Sequence, residues 1–228
     1  MVLRWFKDDT DVRLLARDAG ISMATAYRYL HEAIDVIAAQ CPELTEVLQR
    51  GLAEDWAFVC LDGTLIPTTK VSTGLHPLRN RARPMVLRQA QATRGQHGGN
   101  VQVLTDPTGF PVWVSEVEPG STHHITAARA HALPALYPAA AAGLPTLTDK
   151  GYTGPGIDIL VPTKGHNLCA DNPTRNQLIS ALRAPAARAN ALLKATWRAL
   201  RRITLDPWRI GAITAAALVL HTLQRGSR

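Results

Sequence analysis

Cysteine is scarce in this chain: Cys41, Cys60 and Cys169 are the only three in 228 residues, far apart and outside any Cys-x-x-Cys spacing. That number and placement argue against a disulfide framework and a zinc site, and fit thiols kept reduced in a cytoplasm. Long apolar runs are missing too. The longest, Ile210 to Leu220, has about half of the ~20 residues a membrane-spanning helix requires, so it reads as a buried core helix. Met1 to Arg13 mixes acids and bases around a short apolar patch, which does not match a secretory signal. A cytoplasmic protein with no membrane partner is the expectation.

Acids are absent from two long stretches. Residues 63 to 105 hold no Asp or Glu but do hold Lys70, Arg79, Arg81, Arg83, Arg88 and Arg94. Residues 172 to 205 repeat the pattern with Arg175, Arg183, Arg188, Lys194, Arg198, Arg201 and Arg202. With a formal net charge of +7 and a pI near 9.8, the chain favours a polyanionic partner, and nucleic acid leads the candidates. An ordinary solvated surface is the other reading of both stretches. Lys194, Arg198 and Arg201 are the preferred phosphate contacts, because their i, i+4, i+7 spacing sets them on one face of a helix.

The first forty residues have helical periodicity. Val12, Leu14, Leu15 and Ala19 precede Gly20-Ile21-Ser22, and Ala24, Ala26, Tyr27, Leu30 and Ile34 follow, with Ser22 suited to cap the second helix. Two short helices around a glycine-containing turn make a helix-turn-helix, whose second helix would present Ser22, Met23, Thr25 and Arg28 to double-stranded DNA. A plain helical hairpin has the same pattern. Helical signal continues to about Glu54, and the period then changes to that of a buried strand, Trp56 to Leu61, closed by Asp62-Gly63. A domain boundary is therefore expected between residues 54 and 55.

Strands are expected at Asn100 to Thr105 and Phe110 to Ser115, joined by Asp106-Pro107-Thr108-Gly109 as a hairpin. A helix from Ile125 to Leu136 follows, then short strands at Leu144 to Thr148 and Ile157 to Val161, and helix from about Thr174 onward. The fold class is mixed α/β. Asp62 and Asp149 each follow an apolar strand and precede a glycine-containing turn. Two carboxylates at strand ends can hold a hard divalent cation for phosphodiester chemistry, and can equally well just initiate turns. Trp113, Trp197 and Trp208 read as core, and His76, His97, His131 and His166 as loop or surface residues, His97 being the best exception because it precedes Gly98-Gly99 and a strand.

Five motifs in order, Leu61-Asp62-Gly63-Thr64-Leu65-Ile66-Pro67, His97-Gly98-Gly99-Asn100-Val101-Gln102, Pro119-Gly120-Ser121-Thr122-His123, Asp149-Lys150-Gly151-Tyr152 and Trp197-Arg198-Ala199-Leu200, resemble bacterial insertion-sequence transposases of the DDE superfamily, near the Harbinger-like nucleases. The resemblance covers nearly the whole chain. It implies a ribonuclease-H-like catalytic domain over 55–228 behind a helix-turn-helix domain over 1–54, two magnesium or manganese ions, cutting and joining of DNA at element ends, and a homo-oligomer that brings those ends together.

Carried over by position, Asp62 matches the first catalytic aspartate and Asp149 the second. The family's glutamate belongs in an Arg-x3-Glu-x6-Lys pattern, which Arg183 and Lys194 frame while the acid's position holds Ala187. Where family members have His-Asp, this chain has His123-His124, so His124 becomes the candidate third metal ligand. Residues 70 to 95 lack the family's Trp-Tyr-Ser-Gly-Lys stretch, as a shifted reading frame would produce, and the chain opens nearer the helix-turn-helix than family members do. The resemblance thus implies a transposase impaired at one carboxylate, with Glu116, Glu118, Asp158 or Asp171 as conceivable substitutes. The rival is a DNA binder that does not cut. A transcription regulator would use the helix-turn-helix and leave the strand-end aspartates unexplained.

Overall fold

Buried Val59, Cys60, Leu61, Thr64, Ile66 and Thr68 make residues Val59–Thr68 (β1) a strand enclosed along most of its length. The computed structural model describes residues 1–69, 97–165, 169 and 171–226. The expectations for 70 to 95, including its arginines and His76, and that for His166 fall outside them. β1 pairs antiparallel with His97–Thr105 (β2), in register from Cys60 opposite Thr105 to Thr68 opposite His97. Pro111–Val114 (β3) and Glu118–Pro119 (β4) pair antiparallel with β2. On the other side of β1, Thr146–Leu147 (β5) runs parallel, and Ile159–Leu160 (β6) runs parallel to β5. The order β3-β2-β1-β5-β6, antiparallel on one side of β1 and parallel on the other, is the ribonuclease-H-like arrangement that the motifs imply.

Three local expectations change. Asp62-Gly63 is not a turn: β1 continues through it, because Val103 and Gln102 of β2 pair opposite these residues and the ladder runs on to Thr68. The single helix expected from Ile125 to Leu136 is two, His124–His131 (α5) and Leu133–Ala141 (α6). The chain leaves helical geometry at Ala132 (φ −124°, ψ −51°), and Pro134 in the first turn of α6 lacks the N–H needed to continue α5. The last stretch is also divided. Asp171–Thr196 (α7) ends before Trp197, Arg198–Arg201 form a 3-10 turn, and Ile210–Gly226 (α8) closes the described chain. The β2–β3 hairpin is as expected, with Asp106 Oδ1 accepting from the backbone N–H of Thr108 and of Phe110, both at 2.9 Å.

Side chains alternate across a strand, so Asp62, Thr64, Ile66, Val101 and Val103 share one sheet face and Leu61, Gly63, Asn100, Gln102 and Leu104 the other. Against the first pack Val2–Asp8 (α1), Val12–Asp18 (α2), Met23–Ala38 (α3) and α8, with Trp5, Phe6, Leu30 and Ile34 meeting Ile66, Val101, Val103 and Ile213 in one core. Against the second pack Leu44–Ala53 (α4), α5 and α6, through Leu48, Leu61, Leu104, Leu133 and Leu136. Residues 1–54 therefore contribute to the cores on both faces. Burying a leucine such as Leu30 contributes about 1.5–3 kcal/mol, and this anchors α3 to the sheet.

α2 and α3 are joined through Gly20, whose φ of 64° lies in the left-handed region that glycine tolerates. Ser22 Oγ accepts from Thr25 N–H at 3.2 Å, which starts α3 where the sequence suggests. Arg209 fixes the other end of α3: one amino group pairs with Asp35 Oδ1 at 2.7 Å and another donates to the His31 carbonyl at 3.1 Å. Among the described residues no helix is long and apolar enough to cross a membrane.

Candidate active site

β1 and β5 are in register only at Val59 opposite Thr146 and Cys60 opposite Leu147. Asp62 lies two residues further along β1, and Asp149 two residues beyond Leu147. Both carboxylates thus flank the point where two parallel strands part, the kind of crevice in which α/β sheets place ligands. Asp149 Oδ1 accepts from Gly151 N–H at 2.7 Å, so this side chain shapes its own turn. Burial raises the Asp62 carboxyl above its usual value; the Arg183 guanidinium and a hydrogen bond from Asn190 draw it back, the Asp149 charge raises it again, and His124 lowers it slightly.

Arg183, Ala187, Asn190 and Lys194 repeat at helical spacing and share one face of α7, turned toward β1. Arg183 Nη2 lies 3.8 Å from Asp62 Oδ1, and Asn190 Nδ2 donates to Asp62 Oδ2 at 2.9 Å. Lys194 Nζ donates to the Leu65 carbonyl at 2.8 Å, and burial lowers its pKa. Ala187, the position at which the sequence resemblance expects an acid, is exposed. Asn190 is 9% exposed, and its Oδ1 is buried without a hydrogen-bond partner.

Behind Asp62, on the opposite sheet face, lies a buried polar chain. Tyr152 OH donates to Gln102 Oε1 at 2.6 Å, Gln102 Nε2 to Asn100 Oδ1 at 3.1 Å, and Asn100 Nδ2 to the Thr122 carbonyl at 2.9 Å. His124 Nδ1 meets Asn100 Oδ1 at 3.2 Å, and its ring stacks near Tyr152 with centroids 6.2 Å apart. Burial, followed by the charges of Asp62 and Asp149, raises the Tyr152 phenol well above its usual value, which keeps it a neutral donor. This chain ties the Asp149 turn and the start of α5 to β2. Its members other than His124 stand in the quoted motifs, but spacing gives no sign that they bond to one another.

Position 63 is glycine for a steric reason: a Cβ there would fall inside the His124 ring. His124 therefore covers the back of the Asp62-bearing strand and bonds to Asn100. Among the described residues no three His, Cys, Asp or Glu side chains form a metal-holding group, so the geometry does not bring His124, Glu116, Glu118, Asp158 or Asp171 into a cluster with the two aspartates. Glu118 instead pairs with His131 at 2.8 Å. His97 sits opposite Thr68, six ladder positions from Asp62, away from the acid pair. The Cys41 and Cys60 thiols are each pushed up to about 11, chiefly by burial, and all three cysteines are unpaired.

Lys194, Arg198 and Arg201 do not share a helix face, because α7 ends at Thr196 and the latter two belong to the following 3-10 turn. Arg201 turns back to cap α7, its Nε donating to the Lys194 carbonyl at 3.2 Å, while Arg198 is exposed. Lys194 faces β1. On α3, Ser22 and Arg28 are exposed and Thr25 half-buried. The Ser22 and Thr25 hydroxyls lie 3.0 Å apart in the cap, and the Arg28 guanidinium sits 5.5 Å from the Tyr29 ring centre. Trp113 and Trp197 are buried and Trp208 packs against the core, as expected.

Two carboxylates, one of them bonded by an amide whose oxygen is orphaned, are a donor set suited to a hard divalent cation. The sequence model of a family described as DDE superfamily endonuclease matches residues 61–222, from β1 to α8, and so takes in both aspartates and α7. No curated protein and no solved structure matches the chain.

Proposed function

The chain belongs to the DDE superfamily endonucleases, and from that membership we propose that it is an insertion-sequence transposase that cuts and joins double-stranded DNA at element ends, with cleavage weakened by Ala187. The observation that carries this reading is the pair Asp62 and Asp149 at the parting of β1 and β5, with α7 laid across them. Magnesium or manganese held there supplies Lewis acidity and an activated water for phosphodiester hydrolysis. Asp62 and Asp149 are the cation-holding carboxylates, α7 closes the site from one side, and the Tyr152–Gln102–Asn100 chain keeps the Asp149 turn in place.

In this reading residues 1–54 find the DNA, with Ser22, Thr25 and Arg28 of α3 directed at it. Arg198 is the exposed phosphate contact beyond α7, while Lys194 and Arg201 support the helix and the strand it crosses. Two element ends are held together by more than one copy of the chain. The test is cleavage of a labelled terminal-repeat duplex in manganese by the parent, Ala187→Glu and Asp62→Ala. Weak cleavage by the parent, more by Ala187→Glu and none by Asp62→Ala supports the reading. Equal cleavage by the parent and Ala187→Glu overturns the role given to position 187.

A second reading, DNA binding without cleavage, is favoured by the surroundings of Asp62. Arg183 and Asn190 approach its two carboxylate oxygens from α7. A duplex that is retarded by the chain but left intact by the parent and by Ala187→Glu selects it.

A further inference from the structure

We propose that α7 supplies an amide oxygen, Asn190 Oδ1, as the third protein donor for a single divalent cation held with Asp62 and Asp149. The inference deepens the reading above and rests on it only for the identity of the site. Its starting point is the orphan: a buried acceptor with no partner is destabilising and rare in folded chains, and this one belongs to a side chain already bonded to Asp62.

The two ends of a carboxamide have nearly the same shape. As the structure stands, Asn190 offers its N–H to Asp62 Oδ2, the arrangement a carboxylate prefers when no cation is near. Half a turn about the terminal torsion would bring Oδ1 against Asp62 Oδ2, and two oxygens repel at that distance unless a cation lies between them. Hard cations accept amide oxygens alongside carboxylates. The same residue thus serves both states, and its unpartnered oxygen gains a partner in the loaded one.

Position fits the role. Asn190 lies one helical turn past Ala187 and is buried against β1, whereas a donor at 187 would enter from the exposed side. Charge sets the stoichiometry. Asp62 and Asp149 carry two negative charges, and the Arg183 guanidinium 3.8 Å from Asp62 offsets one of them. A site with so little net charge holds one cation weakly, with affinity in roughly the millimolar range that low ligand charge produces. The Arg183 contact, at 3.8 Å, is an ion pair too long for a hydrogen bond, so it leaves the near side of Asp62 Oδ1 to a cation.

The experiment is a Mn2+ titration of the full chain, following loss of the free-ion EPR signal, with folding monitored by circular dichroism. The parent is expected to bind one Mn2+, Asn190→Asp to bind it about tenfold more tightly because a charged oxygen replaces a neutral one, and folded Asn190→Leu to bind no better than Asp62→Asn. Parent-like binding in folded Asn190→Leu overturns the proposal, as does an Asn190→Asp affinity no higher than the parent's, which decides the matter should Asn190→Leu fail to fold. A parent indistinguishable from Asp62→Asn also overturns it. The expected Mn2+ pattern with no cleavage of terminal-repeat duplexes would refute the transposase reading and leave the cation site standing.

Discussion

Replacing Tyr152 with phenylalanine tests whether the buried polar chain holds the Asp149 turn. Tyr152 and Gln102 are both fully buried, and the Tyr152 hydroxyl is the donor that reaches Gln102 Oε1. Phenylalanine keeps the ring beside His124 and removes only that donor. An acceptor left unsatisfied in the interior costs about 1–3 kcal/mol. At about 2–4 °C per kcal/mol for a chain of this length, Tm should fall by roughly 2–12 °C. Differential scanning calorimetry reads that shift, and a double-mutant cycle with Gln102→Met isolates the pair. The double variant should be less destabilised than the two singles predict together, by about 1 kcal/mol or more, because removing both partners leaves no orphan between them. Amide exchange at Gly151, whose N–H bonds to Asp149, should quicken in Tyr152→Phe as the turn loosens. A Tm shift below about 1 °C, or full additivity in the cycle, would refute the reasoning.

Gly63→Ala should drive the His124 ring off Asn100 and cost about 1–3 kcal/mol as overpacking. Combining it with His124→Ala should recover much of that loss in urea unfolding, and a double variant as unstable as the glycine replacement alone would contradict the steric account. Asp62→Asn should be more stable than the parent at neutral pH. The raised carboxyl means that the native state holds its proton more firmly than the unfolded chain, so the parent loses stability as pH rises from the usual value of 3.8 through the folded one, and the variant does not. Denaturant midpoints that do not converge below pH 3.8 would contradict this sign. Ser22→Ala removes the cap of α3 and should cost about 1 kcal/mol, with Ser22→Gly milder; equal midpoints for parent and Ser22→Ala would show that the cap contributes nothing.

Much of the fold is legible in the sequence because its signals are local. The Ser22 cap, the glycine turn before α3, the Asp106 hairpin and the apolar strands each follow from residues a few positions apart. Where the structure departs from the local pattern, a distant partner is the cause. Asp62-Gly63 has the composition of a turn, and only the partner strand turns it into the middle of β1. Lys194, Arg198 and Arg201 have helical spacing, but Trp197 and Leu200 bury themselves by leaving the helix, and that demand comes from the core beneath them.

The two strand-end aspartates, the basic stretches and the scarcity of cysteine are readable in the sequence alone, as is the alanine at position 187. What the sequence by itself determined was therefore the inventory: which carboxylates exist, where the basic residues gather, and which segments bury an apolar face. The tertiary structure decided how that inventory is used. Arg183 and Asn190 are more than a hundred residues from Asp62 along the chain and meet it only because α7 crosses β1, and Gly63 is explained by a ring that arrives with α5. Such contacts depend on sheet order and helix placement, and no local pattern encodes them, because the energy that selects them comes from burial shared across the whole sheet.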